Sequence, residues 1–406
     1  MPLYKDKIVE ELEEKQKEFE EAIGKDIKQQ FREAAEQLEQ KNRKEIEKKL
    51  KEYDYPSAIP TEEWEENNKS LVKKFEESKD WSSHESVNKW AKKEIKNKVT
   101  ISADGSQIDP VEEFEKPVAL VQAVWMKNKH TEKGEYEEDV KTEVLTPTRL
   151  IEEDENSNVL RVDQEEVSTT RFEKEIEALV EQIEKHGEKP DKDKPVVIYD
   201  GPLILSFTEM YSDDKKERYK ESLSKLLAAS KHHKIPLVGY TGSSKASDIA
   251  NMIKKLELVE NEKTIRDYQL LKPWLENFGD RTTVFKSKRD SAVDILKSEY
   301  KGKEYRFEDK ILFTYMNTGP EKQLDRIDFP EWIKKEDKLE EVINVLRAEA
   351  GVGRGYPEII QTVDRDAVIS VQDRNEFLKM YQKFSEEKNI ELEWNKKELS
   401  KKRRRR

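Results

Sequence analysis

The sequence predicts an α/β fold, a mixed sheet flanked by helices and preceded by a long N-terminal helical arm. Three observations carry that reading: short apolar runs that recur after residue 98, an amphipathic helical pattern over residues 1–97, and two apolar runs that each lead into Asp-Gly. The strand candidates are Val99–Ala103, Val118–Met126, Val140–Leu145, Pro195–Tyr199, Ile235–Tyr240 and Ile311–Tyr315, with helical segments among the later ones. Arg171 to His186 is the clearest helix, because Phe172, Ile176, Leu179, Val180 and Ile183 form one apolar stripe. Glu173 and Glu175 flank that stripe at comparable angles, so periodicity leaves both as candidates to reach over a sheet edge and both as ordinary solvated charges.

In the first part of the chain, Ile8, Leu12, Phe19, Ile23, Ile27, Phe31, Leu38, Ile46 and Leu50 recur mostly four and seven apart in a Glu/Lys/Gln background. That spacing predicts one long amphipathic helix. YDYPSAIP, Tyr53 to Pro60, ends it, and a second helical stretch is expected through Trp64, Leu71, Phe75, Trp81 and Trp90. The expected division is a helical arm or hairpin over 1–97, an α/β domain over 98–385 and a basic tail over 386–406. The arm either packs on the main domain or meets a partner.

Composition narrows the chemistry. Charged residues make up 41% of the 406 and mean hydropathy is −1.01, values that suit disorder unless apolar residues are gathered into elements, as they are here. No apolar stretch approaches the roughly 18 residues of a membrane span, and MPLYKDKIVEELEEK lacks a signal-peptide core, so a soluble cytoplasmic protein is expected. The absence of cysteine excludes disulfides, thiolate zinc sites and cysteine nucleophiles, and five histidines leave few imidazole ligands. Any metal site is therefore oxygen-rich, which suits magnesium or manganese. A net charge of −12 argues against a uniformly basic surface but leaves room for a basic channel. The C-terminal NKKELSKKRRRR suits sequence-independent backbone contacts or simple solvation.

Two carboxylates stand out. Ile101-Ser-Ala-Asp104-Gly-Ser-Gln107 reads as a strand that releases an aspartate into a Gly-Ser turn, and Pro195-Val-Val-Ile-Tyr-Asp200-Gly-Pro-Leu203 repeats the layout. Strand ends in an α/β sheet collect ligands, so Asp104 and Asp200 share a site if their strands are neighbours; otherwise Asp-Gly is turn chemistry. Gly239-Tyr-Thr-Gly242-Ser-Ser-Lys245-Ala-Ser is not a phosphate-binding Walker loop, since Lys245 follows Ser244 rather than glycine. Lys245 still stands at a strand-to-helix turn, where it serves a phosphate or is a surface lysine. Gly353-Arg-Gly355-Tyr356-Pro357 opens a helix whose later turn carries Asp364 and Asp366.

In this order the motifs resemble the NurA family of DNA-repair nucleases over roughly residues 98–380. The resemblance rests on the ADGSQ turn, Arg171-x-x-x-Glu175, Ile-Tyr-Asp200-Gly-Pro-Leu, the loop with Lys245, Arg326-Ile-Asp-Phe-Pro-Glu-Trp332, and Gly355-Tyr356-Pro357 ahead of Asp364. It implies an RNase H-like core with Asp104, Glu175 and Asp200 as metal ligands, Glu173 being the substitute for Glu175. Asp364 stands where the family commonly has histidine, which keeps oxygen ligation and removes an imidazole proton carrier. Lys245 is then a phosphate-neutralising residue and Tyr356 a substrate or site-organising one. By resemblance the chemistry is two-metal phosphodiester hydrolysis with Mn2+ (or Mg2+). The substrate is DNA, single-stranded or at duplex ends, degraded 5′ to 3′ with some endonuclease action on single strands. The partners are a second copy of the chain and a HerA-type hexameric translocase in end resection. The alternative is a non-catalytic adaptor that bridges a translocase and DNA.

Overall fold

The computed structural model describes residues 3–20, 25–81, 83–111, 116–153, 160–205, 208, 210–289, 296–308, 310–319 and 324–392, so most of the expected basic tail lies outside the described residues. Nine strands form one hydrogen-bonded path: β1 (Ser57–Pro60), β2 (Thr100–Ile108), β3 (Ala119–Asn128), β4 (Tyr136–Leu145), β5 (Val196–Asp200), β6 (Leu237–Thr241), β7 (Phe285–Lys288), β8 (Ile311–Asn317) and β9 (Leu324–Pro330). Their spatial order is β1-β7-β8-β9-β6-β5-β2-β3-β4. β2, β3 and β4 make an antiparallel meander, β5 runs parallel to β2, and β6 runs parallel to β5. That five-strand arrangement is the RNase H-like sheet expected above. β9, β8, β7 and β1 extend it antiparallel.

The N-terminal segment departs from one long helix. It is divided into α1 (Lys5–Glu14), α2 (Gln16–Glu20), α3 (Lys25–Leu38) and α4 (Arg43–Leu50). The last break has a local cause, a capping box in which Asn42 Oδ1 accepts the Glu45 amide at 3.0 Å and the Glu45 carboxylate accepts the Asn42 amide at 3.0 Å. The second expected helix is also broken, since Asn68 and Lys69 take positive φ (53° and 62°) and interrupt it between Trp64 and Leu71. Only its end is a regular helix of some length, α5 (His84–Ile95). Then follow α6 (Gln164–His186), α7 (Asp213–His233), α8 (Asp248–Lys255), α9 (Leu339–Val352), α10 (Glu358–Ala367) and α11 (Val371–Glu387).

The central strands read as continuous apolar runs because both faces of the sheet are covered. Val197 and Tyr199 point into a core shared with α6 and α7, while Val196 and Ile198 point into one shared with α5, α9 and α10. A third core joins Phe31, Leu38, Ile46, Leu50 and Trp64 from the N-terminal segment to Ile253 of α8 and to Phe285, Phe313 and Tyr315 of the outer strands. Residues 25–97, expected as an arm or hairpin, thus contribute strand β1 and part of the core. The buried Arg281 guanidinium anchors this region, with Nη2 at 2.5 Å and Nη1 at 2.9 Å from the two carboxylate oxygens of Glu63. Burial alone would raise the Glu63 pKa, but the bond to and charge of Arg281 hold it down at about 2.

Removing one partner leaves Arg281 without its bidentate carboxylate, so Glu63→Ala is expected to destabilise the protein by about 3 kcal/mol, as for a broken buried pair. Urea unfolding measures this, and a change under ~0.5 kcal/mol would mean that Glu340 alone satisfies the guanidinium.

Candidate active site

The two aspartates sit on neighbouring strands, and they arrive differently from expectation. Asp200 is the last residue of β5, in register with Tyr240 of β6. Asp104 does not leave its strand. β2 continues through Gly105 to Ile108 because it stays paired with β3, Asp104 opposite Val124 and Ile108 opposite Leu120. The parallel pairing of β2 with β5 covers only Thr100 and Ile101, so Asp104 lies beyond the point where the two strands stop pairing. Gly201 takes φ +154°, and a Cβ there would lie 2.7 Å from the Tyr199 ring, so the turn after Asp200 requires glycine.

Glu175 comes to this edge from the other layer. On α6 it is buried, and a Cβ on Gly105 would lie 2.4 Å from its Oε1 and 2.6 Å from Arg171 Cγ. The missing side chain of Gly105 is what lets α6 press its carboxylate against β2. Arg171, one helical turn earlier, places Nε 3.4 Å from Glu175 Oε1. Glu173 is engaged elsewhere, since Arg218 of α7 binds it through Nε at 2.7 Å and Nη2 at 2.6 Å.

Asp364 is delivered by α10, which is tied at both ends. At its start, the fully buried Glu349 of α9 accepts the Ile359 amide at 3.0 Å while also binding Thr100 Oγ1 at 2.7 Å and His130 Nε2 at 3.0 Å. At its end, the Ala367 carbonyl accepts from Gln122 Nε2 of β3 at 3.0 Å and from Ser106 Oγ of β2. Asp364 is solvent-exposed, and Asp366 pairs with Arg365 instead at 3.0 Å. Tyr356 donates to Asp200 Oδ1 at 3.0 Å and packs edge-on against Tyr240, its ring lying 2.7 Å from where a Gly242 Cβ would be.

The pKa values of Asp104, Glu175 and Asp200 are all shifted upward. Burial first, then Asp364 and Asp200, push Asp104 up to about 6 against the opposing Gly105 amide and Arg171. Burial again leads for Glu175, which Asp104 and Asp200 help raise to about 8 although Arg171 and the Gly105 amide pull it down. Asp200 is raised by burial and by Asp364, with the Tyr356 hydroxyl acting in the opposite sense. Among the described residues no three carboxylates or imidazoles converge into a ready-made metal cage. The donor chemistry nevertheless fits a hard divalent cation, because the candidate ligands Asp104, Glu175, Asp200 and Asp364 are all carboxylates. Lys245 stands apart from them. It is exposed, its ammonium has no ion-pair or hydrogen-bond partner among the described residues, and it lines a cleft that begins at Pro202.

Sequence reasoning passed over Gly105, Arg171 and Glu349 as functional residues. Gly105 carries a readable signal, a glycine inside a strand, which marks close approach of another element. Glu349 carries none, being one glutamate on a helix.

Compared with known proteins, the chain matches a sequence model of the NurA domain over residues 98–369. Among solved structures it is similar to the NurA nuclease from Sulfolobus solfataricus, at 14% identity and a TM-score of 0.43 over 71% of this chain and 85% of that one. It is also similar to a second NurA crystal structure, at 9% identity and a TM-score of 0.36 over 71% and 89%. No curated protein matches the chain significantly.

Two outcomes are expected of this geometry. Gly105→Ala has no room for its methyl group and should cost roughly 1–3 kcal/mol in urea unfolding, as overpacking does, while weakening divalent-cation binding in a calorimetric titration. Asp104 has a folded pKa raised above its unfolded value, so its favourable contribution is complete below about pH 4 and lost as pH climbs through about 6. Asp104→Asn should therefore raise the melting temperature of the cation-free protein at pH 8 by roughly 1–2 °C, with little effect at pH 4, after allowing for solvent screening.

Proposed function

The chain belongs to the NurA domain family, and from that premise we propose that it is a metal-dependent nuclease whose chemistry occurs at Asp104, Glu175, Asp200 and Asp364. The observation that carries the reading is that Asp104 and Asp200, far apart in sequence but inside the matched segment, lie on neighbouring strands, with the Glu175 carboxylate pressed against Gly105 beside Asp104. The substrate we infer is DNA, single-stranded or at duplex ends, degraded from the 5′ end with some internal cleavage of single strands. Manganese is the inferred cation, with magnesium as the alternative.

A divalent cation, if held here, would supply Lewis acidity toward a phosphate. Asp104, Glu175, Asp200 and Asp364 would hold it. Glu175, whose pKa is about 8, keeps its proton near neutral pH and gives it up when positive charge replaces it. Tyr356 orients the Asp200 carboxylate through its 3.0 Å hydrogen bond. Its own hydroxyl is raised by burial and by the Asp200 charge, so it acts as a donor and not as a phenolate. Lys245, at the mouth of the neighbouring cleft, offers an unpaired ammonium to the phosphate backbone.

The chain carries no Walker motif, which supports a division of labour in which a HerA-type hexameric ATPase translocates DNA and this protein, as a homodimer, cuts it during end resection. No helix among the described residues is long and apolar enough to cross a membrane. We place the protein in the cytoplasm, with the nucleoid.

Cleavage of 5′- and 3′-labelled oligonucleotides tests the reading. Manganese-dependent products released from the 5′ end are expected, with activity reduced at least ~100-fold in Asp104→Asn and Asp200→Asn. Glu173→Gln, which removes only a pair on the flank of α6, should stay within ~3-fold of wild type. A folded wild type that stays silent with manganese, and remains so with a translocase and ATP present, would overturn it. Manganese binding near pH 7 should also release protons, seen as a dependence of the titration heat on buffer ionisation enthalpy.

A further inference from the structure

Behind Lys245 lies a cleft of about 590 Å³ whose other lining residues the nuclease reading leaves without a role. It opens at the ends of β6 and β9, where Thr241 and Arg326 are paired in register. Pro202, two residues past Asp200, forms part of its wall, so the cleft begins where the acidic edge stops. Lys245, Lys255, Arg266, Arg289 and Arg326 line it against a single lining carboxylate, Asp248. Asp248 is already claimed by both Arg289 and Arg326.

The cleft also holds unspent donors. Arg326 is only 2% exposed, stacked 3.9 Å from the Phe313 ring centre, with Nε on Asp328 at 2.8 Å and Nη1 on Asp248, yet its Nη2 has no hydrogen-bond partner among the described residues. Thr241 Oγ1 and Ser247 Oγ, from residues in the lining, likewise lack a hydrogen-bond partner among the described residues. Buried polar groups normally find partners, so the cleft has donor capacity beyond its cationic lining. The start of α8 does not supply the site, because Asp267 already accepts the Asp248 amide at 2.8 Å and the Ala250 amide at 3.0 Å. Side chains do, and guanidinium, ammonium and hydroxyl donors around one void match a phosphate oxyanion.

We propose that this cleft is a phosphate subsite, which holds a second backbone phosphate of the nucleic acid strand engaged at the acidic edge. The proposal rests on the nuclease reading for its occupant. Its geometry separates attraction from chemistry: positive charge grips the strand in the cleft, while the neighbouring negative edge collects cations.

The test uses the full chain with chelator present, so that binding is read without cleavage. Anisotropy of a 3′-labelled single-stranded oligonucleotide is followed across salt concentration for wild type, Arg266→Gln and Asn251→Asp, the last placing a negative charge on the cleft wall. Both variants should bind about 10-fold more weakly, with a salt slope lower by roughly 0.7, the value of one phosphate on a single strand. Thermal melts check that each variant folds. Comparing 5′-phosphorylated with 5′-hydroxyl oligonucleotides identifies the group. A wild-type gain from the 5′ phosphate that Asn251→Asp removes assigns a terminal phosphate, whereas an equal loss on both assigns an internal phosphodiester. Calorimetry with inorganic phosphate should show wild-type binding that Asn251→Asp abolishes. Unchanged affinity and slope in both variants, with a wild type that cuts DNA, would overturn the cleft alone. Phosphate binding by a protein that neither binds nor cuts DNA would overturn the nucleic-acid occupant together with the nuclease reading.

Discussion

The acidic edge depends on how closely one helix approaches one strand. α6 lies over β2 at Gly105, and a single methyl group there would collide with both Glu175 and Arg171. Because of that approach, a carboxylate from the helix layer joins carboxylates from β2, β5 and, across the sheet, α10. No other element can compensate, since β2 is fixed by its pairing with β3 along its whole length. The apolar stripe of α6 against Ile101, Ala103, Val197 and Tyr199 supplies the attraction, and burial of that area outweighs the cost of enclosing Glu175.

Bringing like charges together works against stability, and the surrounding structure restrains the elements that do it. Glu349 ties the first residue of β2 to the start of α10, and Ser106 and Gln122 hold the end of that helix. These bonds join buried, well-packed segments, so the acidic side chains have little freedom to move apart by shifting backbone. Relief comes through protonation or through a cation, which is why the raised carboxyls and the proposed metal chemistry are two aspects of one arrangement. The cationic cleft next to the edge provides no relief by direct pairing, because Arg289 and Arg326 are committed to Asp248.

All six strand candidates and the α6 stripe fall on observed elements, the central strands because burial leaves an apolar run, whereas β9, buried along its whole length, was not a candidate because Asp325, Arg326 and Asp328 interrupt its apolar residues. Asp200 was legible at a strand end marked by Asp-Gly-Pro. Less legible was anything decided by a distant partner. Glu173 and Glu175 have equivalent positions in the helical pattern, and what separates them is Arg218, 45 residues away, which takes Glu173. Asp104 looked like a turn residue because Gly-Ser follows it, yet pairing with β3 carries the strand onward. The break at Glu39–Asn42 was obscured because a heptad-like spacing survives a four-residue interruption, which the Asn42 cap marks.

The outermost pairing of the sheet bears on how the chain is made. β1 finds its partner in β7, and Thr61 bonds to Val284 across 223 residues of sequence. On a ribosome adding roughly 5–20 residues per second, the strand at Ser57–Pro60 waits on the order of 10–45 s before its partner exists. During that interval Phe31, Leu38, Leu50 and Trp64 have no Phe285, Phe313 or Tyr315 to pack against, and the Glu63 carboxylate has no Arg281. The nascent N-terminal third therefore emerges as an acidic, amphipathic segment with unfilled contacts, and synthesis through β8 must be complete before that core can close.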